Sequence, residues 1–263
     1  MKHCYNFFLY GLMAVLVTAC SFDNTGDPII VPEVEKEFQI ELREKLGPAP
    51  RSLQVLIQTV KLQPCLNAMI SHAILPAPGL IRIDIAGIEL PDNCIPGAAP
   101  ARDTILLDGL SGTHFLFEVN LQNTISNEGT LRITNEAYTL DLGNEKGLVL
   151  PFKQLRRIPD YTIWGYAGHS SPSAAGIAGQ FVNELFARST AANLQAGNYG
   201  YFSVAPGSGS ITVANSPADL TLRPFAFRYM GNLDDLRSLT ESYRNQYGAL
   251  LQIKLVAVTG EVF

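Results

Sequence analysis

The sequence predicts a mainly β protein, in which a β-sandwich is followed by a smaller α+β region. Three observations lead to this prediction. Short segments in the first 155 residues alternate apolar and polar side chains, and clusters of proline and glycine separate them. Apolar stripes at helical spacing are clearest after residue 160. Aromatic residues number 14 from Tyr161 onward, against 6 between Cys20 and Asp160, so the two regions also differ in composition.

The first structured segment admits two interpretations. Apolar residues recur every four positions from Val34 to Leu46, which is typical of a helix. Phe38, Ile40 and Leu42 also alternate, which is typical of a strand. We favour the strand, because the segments that follow are strongly β.

Further strands are predicted from strict alternation or from continuous apolar character. They cover residues 53–62, 80–85, 113–121, 131–134 and 137–142, the last two being arms of one hairpin. The run Leu110-Ser111-Gly112-Thr113-His114-Phe115 resembles the L-x-G-x-aromatic pattern that opens a strand in immunoglobulin-like carbohydrate-associated and adhesion modules. The resemblance implies an immunoglobulin-like β-sandwich.

The second region mixes helices and strands. One helix is predicted from the caps at residues 170–173 to about Ala187, and another from Asn232 or Asp234 to Gly248. Strands are expected at residues 200–204 and 210–214, which form a hairpin, and at 222–229 and 250–258. The last of these is long and apolar enough to be a central strand.

The N-terminus ends its apolar run at a cysteine. Residues 7–19 carry no charge but are too few to span a bilayer, which requires about 20 residues. The run Leu16-Val17-Thr18-Ala19-Cys20 resembles the bacterial lipobox, and the architecture resembles envelope lipoproteins of Bacteroidota. This resemblance implies that residues 1–19 are a signal peptide and that Cys20 carries acyl chains of the palmitate type. Ser21 then implies transport to the outer membrane, and an ordinary signal peptide is the alternative.

Four parts are predicted along the chain. They are the signal peptide at 1–19, the lipidated cysteine and linker at 20–35, the β-sandwich domain at 36–155 and the α+β domain at 156–263. We expect the lipid anchor to hold the protein at the membrane, facing either the periplasm or the cell surface.

Charge and cysteine content restrict the function classes. The net charge is −5 and lysines and arginines do not cluster, which argues against nucleic-acid binding. Cys65 and Cys94 are expected to form a disulfide in an exported protein, although two buried thiols remain an alternative. A metal site is less favoured because the histidines lack ligand spacing, and we expect no cofactor.

Two local patterns could indicate catalysis. In the run Gly168-His169-Ser170-Ser171-Pro172 a serine could be a nucleophile, but Pro172 replaces the second glycine of the nucleophile elbow. We therefore favour helix capping. Neighbouring Asp234 and Asp235 diverge on a helix and are better explained by its N-terminus. No residue is predicted to be catalytic.

An aromatic group is the remaining candidate site. Trp164, Tyr166, Tyr199 and Tyr201, with Tyr161 and Phe202, could form a platform on which a sugar ring stacks, or they could pack in the core. The favoured function is a non-catalytic envelope lipoprotein with a structural, adhesion or assembly role and a protein partner. A carbohydrate-binding lipoprotein of a glycan-uptake system is the first alternative, and an extracytoplasmic hydrolase is the second.

Overall fold

The computed structural model describes residues 34–263. The predicted signal peptide, Cys20 and nearly all of the predicted linker lie outside the described residues. The strands of the first region are β1 (Phe38–Glu44), β2 (Leu53–Thr59), β3 (Gln63–Cys65), β4 (Met69–Ala77), β5 (Leu80–Glu89), β6 (Pro96–Ala99), β7 (Arg102–Leu107), β8 (His114–Leu121), β9 (Ile125–Ile133), β10 (Ala137–Leu142), β11 (Leu148–Val149) and β12 (Gln154–Arg156).

Two sheets form the predicted sandwich. The four-stranded sheet has the order β11-β1-β2-β7, and the six-stranded sheet has the order β12-β10-β9-β8-β5-β4. Within these sheets β1 pairs with β11, and β5 with β8, in parallel, whereas the other neighbours are antiparallel. Buried side chains from both sheets, such as Ile57 and Phe117, form one continuous core.

Alternation along the strands explains this arrangement. In β1 every second residue from Phe38 to Glu44 is buried and those between are half-buried, so the strand interpretation of this segment is confirmed. The hairpin of β9 and β10 is confirmed as well. A short two-stranded ribbon of β3 and β6 carries the predicted disulfide between Cys65 and Cys94.

The second region begins with β13 (Thr162–His169) and continues with α1 (Ala175–Ala187), β14 (Thr190–Ala191), β15 (Gly197–Asn198), β16 (Phe202–Val204), β17 (Ile211–Val213), β18 (Thr221–Arg228), α2 (Leu233–Tyr247) and β19 (Gln252–Ala257). The C-terminal sheet has the order β14-β18-β13-β19, and β15-β16-β17 form a separate hairpin sheet. The predicted α+β character is confirmed.

This region has three layers. Phe181 and Leu185 of α1 and Leu236 of α2 share a core with Phe227 on one face of the C-terminal sheet. On the opposite face, Trp164 packs with side chains of the hairpin sheet. The C-terminal sheet is therefore covered on both sides.

The sequence prediction missed three strands of six or more residues, β4, β7 and β13, and coverage on both faces explains why β13 was missed. All eight residues of β13 are buried, so they show no alternation of apolar and polar side chains. A Cβ at Gly165 would overlap the carbonyl oxygen of Lys254 on β19, so this contact requires glycine. The prediction that residues 250–258 form a central strand was wrong, because β13 lies inside the sheet and β19 ends the order.

The predicted start and end of both helices are confirmed. The Asn232 side chain accepts a hydrogen bond from Asp234 N at 3.0 Å, and Gly248 N–H donates to Arg244 O at the other end of α2. Before α1, a short 3₁₀ turn at Pro172–Ala174 is capped by Ser171 Oγ, which accepts from Ser173 N at 3.4 Å. The paired acids Asp234 and Asp235 lie in the first turn of α2, where the helix dipole favours negative charge.

Candidate functional site

The aromatic residues predicted as a ligand platform lie in the interior. Trp164 is 1% exposed, and Tyr166 and Tyr199 are also buried. The Trp164 ring lies 5.2 Å from Phe202 and 5.7 Å from the half-buried Tyr201. Tyr199 stacks on Phe202 at 4.7 Å. These ring faces contact one another, so the stacking platform for sugars is corrected to the core-packing alternative.

Two hydroxyl groups of this cluster donate hydrogen bonds to backbone oxygens of the protein. Tyr201 donates a hydrogen bond to Glu44 O at 2.7 Å, and Tyr199 donates to Gln195 O at 2.9 Å. Burial raises the pKa of Tyr166, Tyr199 and Tyr201. The Tyr201 bond joins the second region to β1 of the sandwich.

Glu44 is the centre of this junction and is fully buried. Its Oε1 accepts from Tyr138 OH at 3.1 Å and Arg157 Nε at 3.2 Å. Its Oε2 accepts from Ile158 N at 3.0 Å and Arg51 Nε at 3.4 Å. One carboxylate therefore binds groups of the sandwich and of the segment that leads into β13. Residues Glu35–Phe263 form one compact unit.

Two of the candidate hydrolase residues, His169 and Ser171, form hydrogen bonds that stabilise the local structure. His169 is buried and its Nδ1 lies 2.9 Å from the carbonyl oxygen of Ser171, which accepts the hydrogen bond. Ser171 Oγ caps the following turn, as predicted. The cavity beside His169 and Ser170 is lined by glycine, leucine and Gln252, and the part of the chain that the structure describes places no carboxylate there.

Exposed apolar side chains gather around the disulfide. Leu66 N donates to Ile95 O at 2.9 Å, beside Cys65 and Cys94, and Met69 pairs with Glu89 where β4 and β5 meet this end. We name this surface the apolar tip; its residues are between 40% and 63% exposed and are Leu62, Leu66, Met69, Ile88, Leu90 and Ile95. In soluble proteins, clustered exposed apolar side chains are more common at interaction surfaces than elsewhere on the surface. The sequence analysis missed it, because it depends on strand pairing.

A polar groove lies elsewhere, between the four-stranded sheet and the hairpin sheet. Its volume is ≈ 430 Å³, within the range of small-ligand sites. Gln39, Glu41 and Arg43 of β1 lie on one side, and Ser203 and Thr212 on the other. The alternation of β1 predicts polar side chains on the outer face of the sheet, but the hairpin above them is evident only in the structure.

Among residues 34–263, no group of three or more histidine, cysteine or acidic side chains is arranged to hold a metal ion. No helix in the same range combines the length and apolar character needed to cross a bilayer. Comparison of the chain with protein-family models, curated proteins and solved structures finds no match.

Proposed function

We propose that this protein is a non-catalytic envelope protein, held at a membrane by a lipid on Cys20, that binds a protein partner in adhesion or assembly. The observation that carries the proposal is the apolar tip. Met69 and Ile88 lie on the paired strands β4 and β5, and Leu66 and Ile95 flank the Cys65–Cys94 disulfide, yet all of the tip's side chains remain exposed. Ordered exposed apolar surface is a common property of protein interfaces.

The charge around the tip defines the chemistry of the partner. Glu89 and Asp92 are exposed there, and neither forms an ion pair with another residue in the described part of the chain. The matching surface is therefore an apolar patch bordered by lysine or arginine. Opposite charges at the rim would guide the encounter of the two proteins.

The contacts of the candidate nucleophiles support a non-catalytic role. Ser171 Oγ holds the turn before α1, and His169 Nδ1 bonds to a backbone oxygen. A serine nucleophile needs a base whose ring nitrogen faces its hydroxyl. Here the two side chains instead stabilise the path of the chain from β13 to α1.

Photo-crosslinking in bacterial cells tests whether the apolar tip contacts a partner protein. The full chain is expressed with a photo-crosslinking side chain at Leu66 or at Ile95. Ser208, in the exposed turn of the hairpin, is the control position. We expect one adduct of defined mass from the tip positions, and we expect Glu89→Lys to reduce its yield. Equal yields at Ser208, an adduct of two copies of this chain, or no effect of Glu89→Lys would each contradict the proposal.

Metabolic labelling with an alkyne analogue of palmitate tests the anchor separately. We expect Cys20→Ala to remove the label and to release the protein from membranes. Cys4→Ala is the matched control and should retain both, because Cys4 would leave with the signal peptide. Undiminished label in Cys20→Ala would refute the lipid anchor.

A further inference from the structure

The floor of the polar groove is a row of planar polar side chains across three strands. Gln39 of β1 lies opposite Gln58 of β2, and Gln58 lies opposite Arg102 of β7. All three line the groove. Gln39 and Gln58 are half-buried although they belong to the outer face of the sandwich, because the hairpin sheet covers part of this face.

The wall is a second polar row on the hairpin sheet. Asn198 pairs with Ser203, and Ser203 pairs with Thr212, so the three side chains lie side by side. Neighbouring Phe202, which also borders the groove, and Val213 are buried in one cluster with Trp164. The alternation of these short strands therefore directs apolar groups to the core and polar groups to the groove.

An arginine and an aromatic ring complete the groove. The Arg43 guanidinium lies 4.9 Å from the centre of the Tyr201 ring, which orients it, and among the described residues its buried Nε has no hydrogen-bond partner. Phe152 lines the same groove and is 47% exposed. The groove thus combines a flat apolar face with donors and acceptors that are fixed by two sheets.

We propose that this groove binds a neutral oligosaccharide. Each sugar hydroxyl donates and accepts hydrogen bonds, and amides and hydroxyls such as those of Gln58, Asn198 and Thr212 do both. The exposed Phe152 ring matches the C–H face of a sugar ring. The lining includes two arginines and two acids, so its charges balance. This site shares no residue with the apolar tip and stands independently of the proposed partner.

Calorimetric titration of the full chain, purified in detergent, tests the inference. The probes are the neutral trisaccharides of β-1,4-glucose, α-1,4-glucose, β-1,4-mannose and β-1,4-N-acetylglucosamine, with trigalacturonate and a Gly-Ser hexapeptide as comparisons. Phe152→Ala and Gln58→Ala are the groove variants. Phe186→Ala is the matched control, because Phe186 is equally exposed at 48% and lies on α1 outside the groove.

We expect saturable binding of at least one neutral trisaccharide, weakened about tenfold by Phe152→Ala and by Gln58→Ala. Phe186→Ala should bind the same trisaccharide with a dissociation constant within about twofold of that of the parent. Circular dichroism should show that all variants fold. Absence of saturable binding of every neutral sugar at millimolar concentration overturns the inference. Stronger binding of trigalacturonate or the peptide, or equal affinities in the groove variants and the parent, overturns it as well.

Discussion

Replacing Glu44 by glutamine is expected to lower the free energy of unfolding by about 3–6 kcal/mol. The two carboxylate oxygens together accept four donors, from Tyr138, Arg157, Ile158 and Arg51. A glutamine retains one carbonyl oxygen, and its NH₂ group would face two donors in place of the other. Two bonds to a charged group are therefore lost, each worth about 1.5–3 kcal/mol, and the arginines lose their buried counter-ion.

Glu41→Gln is the matched control on the same strand. Glu41 is half-buried on the outer face of β1, and its side chain accepts one bond, from Gln39 at 2.6 Å. Its replacement is expected to change stability by about 0–1 kcal/mol. The comparison removes the same charge from the same strand and differs in burial and in the number of donors.

Urea unfolding measured by two signals provides the assay. Trp164 fluorescence reports on the second region, and far-ultraviolet circular dichroism reports on the strands and helices of the whole chain. We expect the midpoints of the parent to coincide and those of Glu44→Gln to separate as well as fall, because Glu44 joins the two regions. A loss within about 1 kcal/mol of the Glu41→Gln value would refute this account of the junction.

Three further predictions concern packing, the disulfide and alkaline pH. Gly165→Ala should abolish folding or lower the free energy of unfolding by more than about 3 kcal/mol, because its Cβ would meet the backbone of β19. Gly176→Ala, whose Cβ would lie in open space on α1, should instead raise the free energy of unfolding by about 0.5–1 kcal/mol. Urea midpoints compare the two variants. Reducing Cys65–Cys94, whose sequence separation is 29, should lower the free energy of unfolding by about 3–4 kcal/mol, and an unchanged midpoint with reductant would contradict this. Burial, reinforced by the Glu44 carboxylate, raises the pKa of Tyr138 to about 12. Since the pKa of an unfolded tyrosine is about 10, the stabilising contribution of Tyr138 should be complete below about pH 10 and lost toward pH 12. A Tyr138→Phe variant should therefore show a smaller decline in urea midpoint over that range.

Strands and helices with one solvent-exposed face and one buried face could be predicted from the sequence. The segments that became β5 and β8 alternate because one side meets the core and the other meets solvent. The ends of helix α2 could also be predicted, since Asn232 and Gly248 form capping hydrogen bonds with residues close to them in the sequence. The disulfide was predictable from the two cysteines that remain after residue 20.

Elements buried on both faces could not be predicted in the same way. Strand β13 was missed because its aromatic and small residues face helices on one side and the hairpin sheet on the other. The same covering layers bury Trp164, which is therefore a core residue and not an exposed binding residue. A linear pattern records the types of side chains, but it does not record which other layer will cover them.

The sequence by itself determined the mainly β class, the strand alternation, the α2 caps and the cysteine pair, because each depends on neighbouring residues or on a count. Only the tertiary structure decided the Glu44 junction, the apolar tip and the polar groove. Glu44 lies on the buried side of β1, where a charge is unfavourable until distant Arg157 and Ile158 reach it. Contacts between residues far apart in the chain create all three features, so no local pattern contains them.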